Sequence, residues 1–150
     1  MFFVSLFGNE PLMMSFSRGY LMTYKLNDKQ FDSTCKLSDH KRFEYFLRKV
    51  ADWEEIWSLH SPEGWVELSS GDGEICLPVW PHPDFAQAWA VDDWADCTPK
   101  AIKLEVWIER WTQGLEKDDT VLAVFPVDEE EGFVLTPSEL QDALMNELNS

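Results

Sequence analysis

Two β-prone runs separated by turn residues constrain the fold of this chain more than any other feature. The first run spans residues 64–68 and the second spans residues 74–80, with the turn residues 69–73 between them. This pattern predicts a β-hairpin. In the second run apolar residues alternate at the period of two that places them on one face of a strand. Because Pro78 has no N–H group to donate to a ladder, we expect this strand to lie at a sheet edge or to end in a bulge.

Three short helices and three further strands are predicted after the hairpin. Pro83 suits the first position of a helix. Apolar residues at helical spacing in residues 104–111 indicate a second helix, and a capping box that starts at Thr136 indicates a third. The predicted strands are residues 101–103, residues 121–125, which we expect to be covered on both faces and central in the sheet, and residues 133–135.

The longest helix is predicted to begin at Ser38, which can cap its first turn, and to end near His60. Its apolar residues recur every three or four positions on one face and are Phe43, Phe46, Leu47, Val50, Trp53, Ile56 and Trp57. Together these elements predict a single α+β domain. We expect an antiparallel or mixed sheet of four to five strands, with one long N-terminal helix and three shorter helices packed on it.

Residues 1–37 are expected to form a loosely held N-terminal extension of a domain at residues 38–150. The apolar run at residues 1–7 has no basic residues before it, which argues against a secretory signal, and we expect Met22 to be the natural first residue. No apolar run is long enough to cross a bilayer, so no membrane association is predicted. Three cysteines without metal-binding spacing favour a reducing compartment, and we expect a cytoplasmic protein.

Several segments of the chain carry a family resemblance. They are residues 41–59, 64–65 and 78–86, followed by residues 102–104, Trp107, Trp111, residues 123–126 and Leu135. In these segments the chain resembles a bacterial family called domain of unknown function 2750, over about Ser38 to Leu148. That family has no assigned activity, so the resemblance implies no function.

Acidic residues are concentrated in the second part of the chain. Residues 1–62 contain eight acids and eight bases, whereas residues 63–150 contain twenty acids and four bases, a difference that equals the whole net charge of −16. Such a field repels nucleic-acid phosphates and attracts a basic protein surface. We therefore predict no nucleic-acid binding and a basic protein partner, which would meet Asp92, Asp93, Asp96, Asp128, Glu129, Glu130 and Glu131. The plain alternative is that these carboxylates only keep the protein soluble.

All eight tryptophans lie between Trp53 and Trp111. Four of them keep helical register with other apolar residues and are predicted to be core, namely Trp53, Trp57, Trp107 and Trp111. The others lie at strand ends and beside turns, and with two polar neighbours they form a predicted small-ligand site of Trp65, Trp80, His82, Asp84, Trp89 and Trp94. An aromatic pocket beside a helix start would suit an anionic ligand group. The alternative is that His82 only caps the helix.

No motif in the sequence specifies a reaction. Asp92, Asp93 and Asp96 match a D-D-x-x-D pattern, but the second aspartate cluster that such magnesium sites need is absent, so a solvated acidic turn is favoured. There is no zinc-type histidine pair, phosphate-binding loop or nucleophile elbow. We predict a non-enzymatic protein-binding module of the immunity or inhibitor kind, without cofactor or metal. The alternative is a small-ligand-binding or hydrolytic domain at the Trp80–Asp84 corner.

Overall fold

The computed structural model describes residues 23–69, 73–128, 130 and 132–150, and residues 2–4 by their backbone, and it contains both helices and strands. The elements are β1 (Phe2–Val4), α1 (Asp28–Cys35), α2 (Asp39–Trp53), β2 (Glu55–Ser61), β3 (Gly64–Ser69), β4 (Ile75–Val79), α3 (Pro83–Trp89), a 3-10 turn (Asp92–Trp94), β5 (Thr98–Lys103), α4, β6 (Thr120–Val124), β7 (Phe133–Leu135) and α5 (Pro137–Leu148). Helix α4 is continuous and consists of Leu104–Val106, a π-helical stretch Trp107–Trp111, and Thr112–Lys117.

The seven strands of the described residues form one mixed sheet in the order β5-β2-β3-β4-β6-β7, with β1 paired to β3. Strands β4 and β6 run parallel, and the other pairs are antiparallel. The predicted α+β class and the mixed sheet are confirmed. The expected four to five strands are too few, because β1 and β2 come from segments interpreted as extension and helix. Helix α1 likewise raises the number of shorter helices in the described residues from three to four.

Helix α2 begins where the sequence predicts but ends earlier. Ser38 Oγ accepts a hydrogen bond from the Lys41 N–H at 3.2 Å, as expected of a cap. The helix stops at Trp53 because Glu54 adopts a left-handed conformation with φ 59°. The prediction that Ile56 and Trp57 extend the helix is wrong, since both lie in β2, which pairs with β3 and β5. Strand β2 is buried on both faces, so the adjacent residues Ile56 and Trp57 are both apolar, and their distances of three and four positions from Trp53 also match helical spacing.

Strand β4 lies between β3 and β6, so the edge position predicted from Pro78 is wrong. The Pro78 carbonyl points toward β2, where it accepts a hydrogen bond from Ser58 Oγ at 2.6 Å. Because the N–H and C=O groups of a strand residue point the same way, the missing N–H also faces this hydroxyl. The proline therefore removes no bond from the ladder with β6. The predicted central position of β6 is also wrong, because β6 lies between β4 and the edge strand β7.

Tryptophans fill much of the core. Trp107 and Trp111 are fully buried and stack on each other at 5.4 Å between ring centroids. Trp57 is 3% exposed, so these three predicted core positions are confirmed. Trp53 is 41% exposed, and its predicted core position is wrong. It lies at the last residue of α2, where its ring packs only partly, against Tyr24 at 5.7 Å.

Candidate functional site

A pocket of about 300 Å³ opens between α1, α3 and the loop that follows β6. Its lining residues come from three separate segments and are Phe31, Asp32, Cys35, Lys36, Phe85, Ala88, Trp89, Pro126, Val127 and Asp128. Two of them, Trp89 and Asp128, belong to the residues predicted from the sequence. The prediction placed these two in different sites, and the structure brings them into one.

Three of the four tryptophans assigned to the predicted ligand site form a continuous ladder. Trp80 packs against Trp89 at 5.5 Å between ring centroids, and Trp89 packs against Trp94 at 5.7 Å. Trp80 is fully buried and donates its indole N–H to the Pro126 carbonyl at 2.9 Å. The ladder therefore runs from the core to the 3-10 turn, and its middle ring reaches the pocket.

Trp65 lies in a different cluster. Its ring meets Trp111 edge to face at 5.0 Å and His60 at 4.8 Å. It is 2% exposed, so its side chain is part of the packed interior. The structure does not join it to the ladder that contains Trp80.

His82 is 4% exposed, and both of its ring nitrogens are used inside the protein. Nδ1 accepts a hydrogen bond from the Asp84 N–H at 3.0 Å, which caps α3. Nε2 donates to the Tyr24 carbonyl at 2.7 Å. Burial lowers the pKa of His82, and the Tyr24 carbonyl and the Asp84 carboxylate partly oppose that shift. A neutral imidazole that is satisfied on both sides has no nitrogen left for a ligand or a proton transfer.

The segment that contains Tyr24 covers the corner where the sequence predicted a ligand. The Tyr24 ring meets the His82 ring edge to face at 4.6 Å, and its hydroxyl lies 3.1 Å from the Tyr45 hydroxyl. Farther along, Phe31 stacks on Phe85 at 5.0 Å with 14° between the ring planes. Residues 23–37 of the expected extension thus pack on the domain, and they contribute four residues to the pocket. Most of residues 1–22 lies outside the described residues.

Arg42 fixes the loop that forms one wall of the pocket. It is 2% exposed, and its guanidinium donates to the Phe125 carbonyl at 3.2 Å, to the Leu37 carbonyl at 2.6 Å and to Glu130 Oε1 at 2.9 Å. The loop also contains two non-glycine residues in the left-handed region, Phe125 at φ 60° and Asp128 at φ 53°. Several contacts therefore hold this wall in a backbone conformation that is otherwise unfavourable.

The carboxylates predicted to meet a partner have different environments. Asp92, Asp93, Asp96 and Asp128 are exposed. Asp84, from the predicted ligand site, is also exposed, at 57% of its side chain. Glu130 is exposed as well, but it pairs with Arg42 and so helps to hold the loop. Glu129 and Glu131 lie outside the described residues.

The pKa of the Cys35 thiol is affected by the charges around the pocket wall. Burial raises the pKa of its thiol, and the charges of Asp128 and Asp32 raise it further, against the opposing charge of Arg42. The thiol is therefore protonated at neutral pH and is a poor nucleophile. Within the described ranges, no group of three or more histidine, cysteine, aspartate or glutamate side chains is placed to hold a metal ion.

The sequence interpretation missed the contribution of α1, although one signal for this helix was present. Asn27 and Gln30 form a capping box, in which each side chain accepts a hydrogen bond from the other residue's backbone N–H. Apolar residues follow at Phe31 and Cys35, four positions apart, as on one face of a helix.

In the part of the chain that the structure describes, no helix combines the length and the apolar character that a membrane span requires.

A family model described as "Protein of unknown function (DUF2750)" matches residues 43–144. No curated protein matches the chain. Among solved structures, a similar chain is that of Anabaena Tic22 (protein transport), with 19% sequence identity and a TM-score of 0.36. The match covers 63% of this chain and 49% of the Tic22 chain, so it spans about half of that structure.

Proposed function

The chain belongs to the DUF2750 family of proteins of unknown function, and we propose that it is a non-enzymatic module whose acidic surface binds a basic protein partner. An immunity protein or an inhibitor that covers a basic surface is the kind of protein that this describes. We place it in the cytoplasm because its three cysteines are free thiols. In this proposal residues 38–150 form the domain and residues 1–37 form an N-terminal extension, in which residues between Phe31 and Lys36 line the pocket.

The observation that carries the proposal is the exposure of the carboxylates. Of the twenty acidic residues at positions 63–150, Asp72, Glu129 and Glu131 lie outside the described residues, which leaves seventeen. Fifteen of these are exposed, Glu147 is half-buried and Glu67 is buried. With only four basic residues in the same range, this surface has a large excess of negative charge that is available to a partner.

The proposed contact surface consists of the 3-10 turn and the pocket rim. The turn provides Asp92 and Asp93, with Asp96 just after it, and the rim provides Asp128. Trp89 connects the two regions, because it lines the pocket and packs against Trp94 in the turn. An aromatic side chain surrounded by charged groups is a common arrangement at protein interfaces.

The alternative site at the Trp80–Asp84 corner has less support. Trp80 is fully buried, His82 is satisfied on both ring nitrogens, and the Tyr24 ring lies against it. A hydrolytic site needs a base that can reach a substrate or water. The His82 ring has no free nitrogen for this role, and Asp84 is the one exposed carboxylate of the corner, so the acidic surface is the better candidate.

Affinity capture tests the proposal. The full chain is immobilised and exposed to extract of the native cell at low and at high salt, and retained proteins are identified by mass spectrometry. We expect a partner with a basic surface that is lost at high salt, because exposed charge pairs are screened. We expect the same loss at low salt for the triple variant Asp92→Asn, Asp93→Asn, Asp96→Asn.

A second triple variant provides the matched control. This variant carries Glu105→Gln, Glu109→Gln and Asp142→Asn, which remove three exposed charges from α4 and α5. Its net charge is the same as that of the first triple variant. We expect this variant to retain the partner. Equal loss from both triple variants, or retention that does not respond to salt, contradicts the proposed surface.

A further inference from the structure

We propose that the pocket between α1, α3 and the loop after β6 receives one arginine side chain of the partner protein. This inference rests on the proposed function and assigns a specific contact to it.

The size of the pocket suits a single side chain. Its volume of about 300 Å³ lies at the lower limit of the range of roughly 300–1,000 Å³ that is typical of ligand pockets. A larger organic ligand would extend beyond its walls. A long side chain that enters end-on fits within this volume, and the rest of the partner would cover the rim.

The walls of the pocket suit a planar cation. Trp89 is half-buried and lines the pocket, and contacts with Trp80 and Trp94 fix the position of its ring in the wall. Phe31 and Phe85 stack on each other at 5.0 Å and form the adjoining apolar wall. A guanidinium stacks on aromatic rings while its methylene stem packs on apolar surface.

The charges of the pocket complement one guanidinium. Asp32 on α1 and Asp128 on the loop are exposed lining residues, and Lys36 is the one basic residue among those that line the pocket. Two carboxylates and one ammonium leave a net charge of −1. The field of both carboxylates reaches the pocket wall, since each raises the pKa of the Cys35 thiol. A carboxylate and a guanidinium form a charge-assisted pair with two parallel hydrogen bonds.

Hydrogen bonds inside the protein hold described residues on both sides of Asp128 before any partner binds. Arg42 holds the Phe125 carbonyl and Glu130, and the Trp80 indole holds the Pro126 carbonyl. Less ordering is then needed on binding, which favours affinity. Arg42 is in this respect a positioning residue for the pocket.

The test is NMR titration of the full chain with a small probe. The probe is N-acetyl-L-arginine methylamide, and the signal is the indole N–H resonance of Trp89, assigned with Trp89→Phe. We expect this resonance to shift with saturation, while that of the fully buried Trp107 stays in place. The citrulline analogue has the same shape without the charge, and we expect it to bind about tenfold more weakly, the effect of about 1.4 kcal/mol.

Two substitutions with matched controls locate the response. Asp32→Asn and Asp128→Asn are each expected to weaken probe binding by about three- to tenfold. Asp142→Asn is the control for Asp32, because Asp142 is also an exposed aspartate on a helix, α5. Asp119→Asn is the control for Asp128, because Asp119 is also exposed and left-handed, at φ 57°. Neither control is expected to change binding.

Several results would overturn the inference. Equal binding of the citrulline analogue would show that the charge of the guanidinium does not contribute to binding, and a stronger shift with inorganic phosphate would make the pocket an anion site. Tighter binding of free L-arginine than of the blocked probe would indicate a free amino acid as ligand. A Trp89 shift that follows protein concentration without probe would indicate a second copy of the chain.

The two proposals fail in different ways. If salt-sensitive capture persists and the probe does not shift Trp89, the acidic surface stands and the arginine pocket is wrong. If the probe binds as expected and no basic partner is captured, the pocket stands and the proposed function is wrong.

Discussion

Buried polar side chains are the informative residues of this protein. His82 and Arg42 both have features of functional groups, since each is buried and charged or titratable. The contacts of both are internal: His82 joins the α3 cap to the Tyr24 carbonyl, and Arg42 joins two carbonyls to Glu130. Removing the Arg42 side chain would leave the buried Phe125 carbonyl without this donor, which costs about 1–3 kcal/mol.

Glu55 is the residue whose protonation should affect stability most clearly. It is 8% exposed, and its Oε1 is buried without a hydrogen-bond partner of acceptable geometry. Burial raises its pKa to about 7, although the nearby Trp57 indole and the charge of Lys103 act in the opposite direction. The folded state therefore holds a proton that the unfolded chain, with a pKa near 4.5, has already lost.

The stability that depends on Glu55 therefore falls as the pH rises. The contribution of Glu55 to the free energy of unfolding is fully present below about pH 4.5 and is lost as the pH rises through about 7. We expect the free energy of unfolding of Glu55→Gln to match that of the wild type at about pH 4 and to exceed it by about 1–3 kcal/mol at about pH 8. Urea unfolding at both pH values measures this. The same substitution at exposed Glu105 is the control, and an equal gain there would contradict the argument.

At the level of elements, the connection from β6 to β7 depends on one glycine. Gly132 has φ 81°, and a Cβ atom there would contact the Val124 carbonyl oxygen and the Pro126 nitrogen, the latter at 3.0 Å. Both contacts are with backbone, which cannot move away as a side chain would. The glycine is therefore required by the path of the chain as well as by its φ angle.

A pair of glycine substitutions separates these two effects. Gly73 has nearly the same φ, 82°, but a Cβ atom there would have nothing within 4 Å. We expect Gly73→Ala to lower the free energy of unfolding by about 1–2 kcal/mol, the effect of conformation alone. Gly132→Ala should lower it by clearly more, because the clash is added. Equal losses in urea unfolding would show that the loop after β6 relaxes without difficulty.

At the level of the whole molecule, the net charge of −16 sets the response to salt. Repulsion among the exposed carboxylates destabilises the compact state. It is screened as the Debye length falls from about 30 Å at 0.01 M to about 8 Å at 0.15 M ionic strength. We expect the midpoint of thermal unfolding to rise over this range of NaCl. The rise should be smaller for the Glu105→Gln, Glu109→Gln, Asp142→Asn variant, and a midpoint that falls with salt would contradict this account.

The local features of the protein could be predicted from its sequence alone. The hairpin of β3 and β4, the Ser38 cap and the Thr136 capping box were predicted and are present, and the His82 cap, which was the alternative to a ligand role, is present as well. Each of them depends on residues a few positions apart. The excess of acidic residues after position 62 was likewise evident. Such features follow from backbone propensity, hydrogen bonding and composition, which do not require a tertiary partner.

Features that depend on residues far apart in the sequence became evident only from the tertiary structure. Ile56 and Trp57 form a strand because β3 and β5 lie on either side of them, which their own spacing could not indicate. The pocket combines residues around positions 31, 85 and 128, and its loop is held by a contact between Arg42 and Glu130, 88 positions apart. Contacts over such separations form only when the whole chain packs, so local sequence patterns contain no record of them.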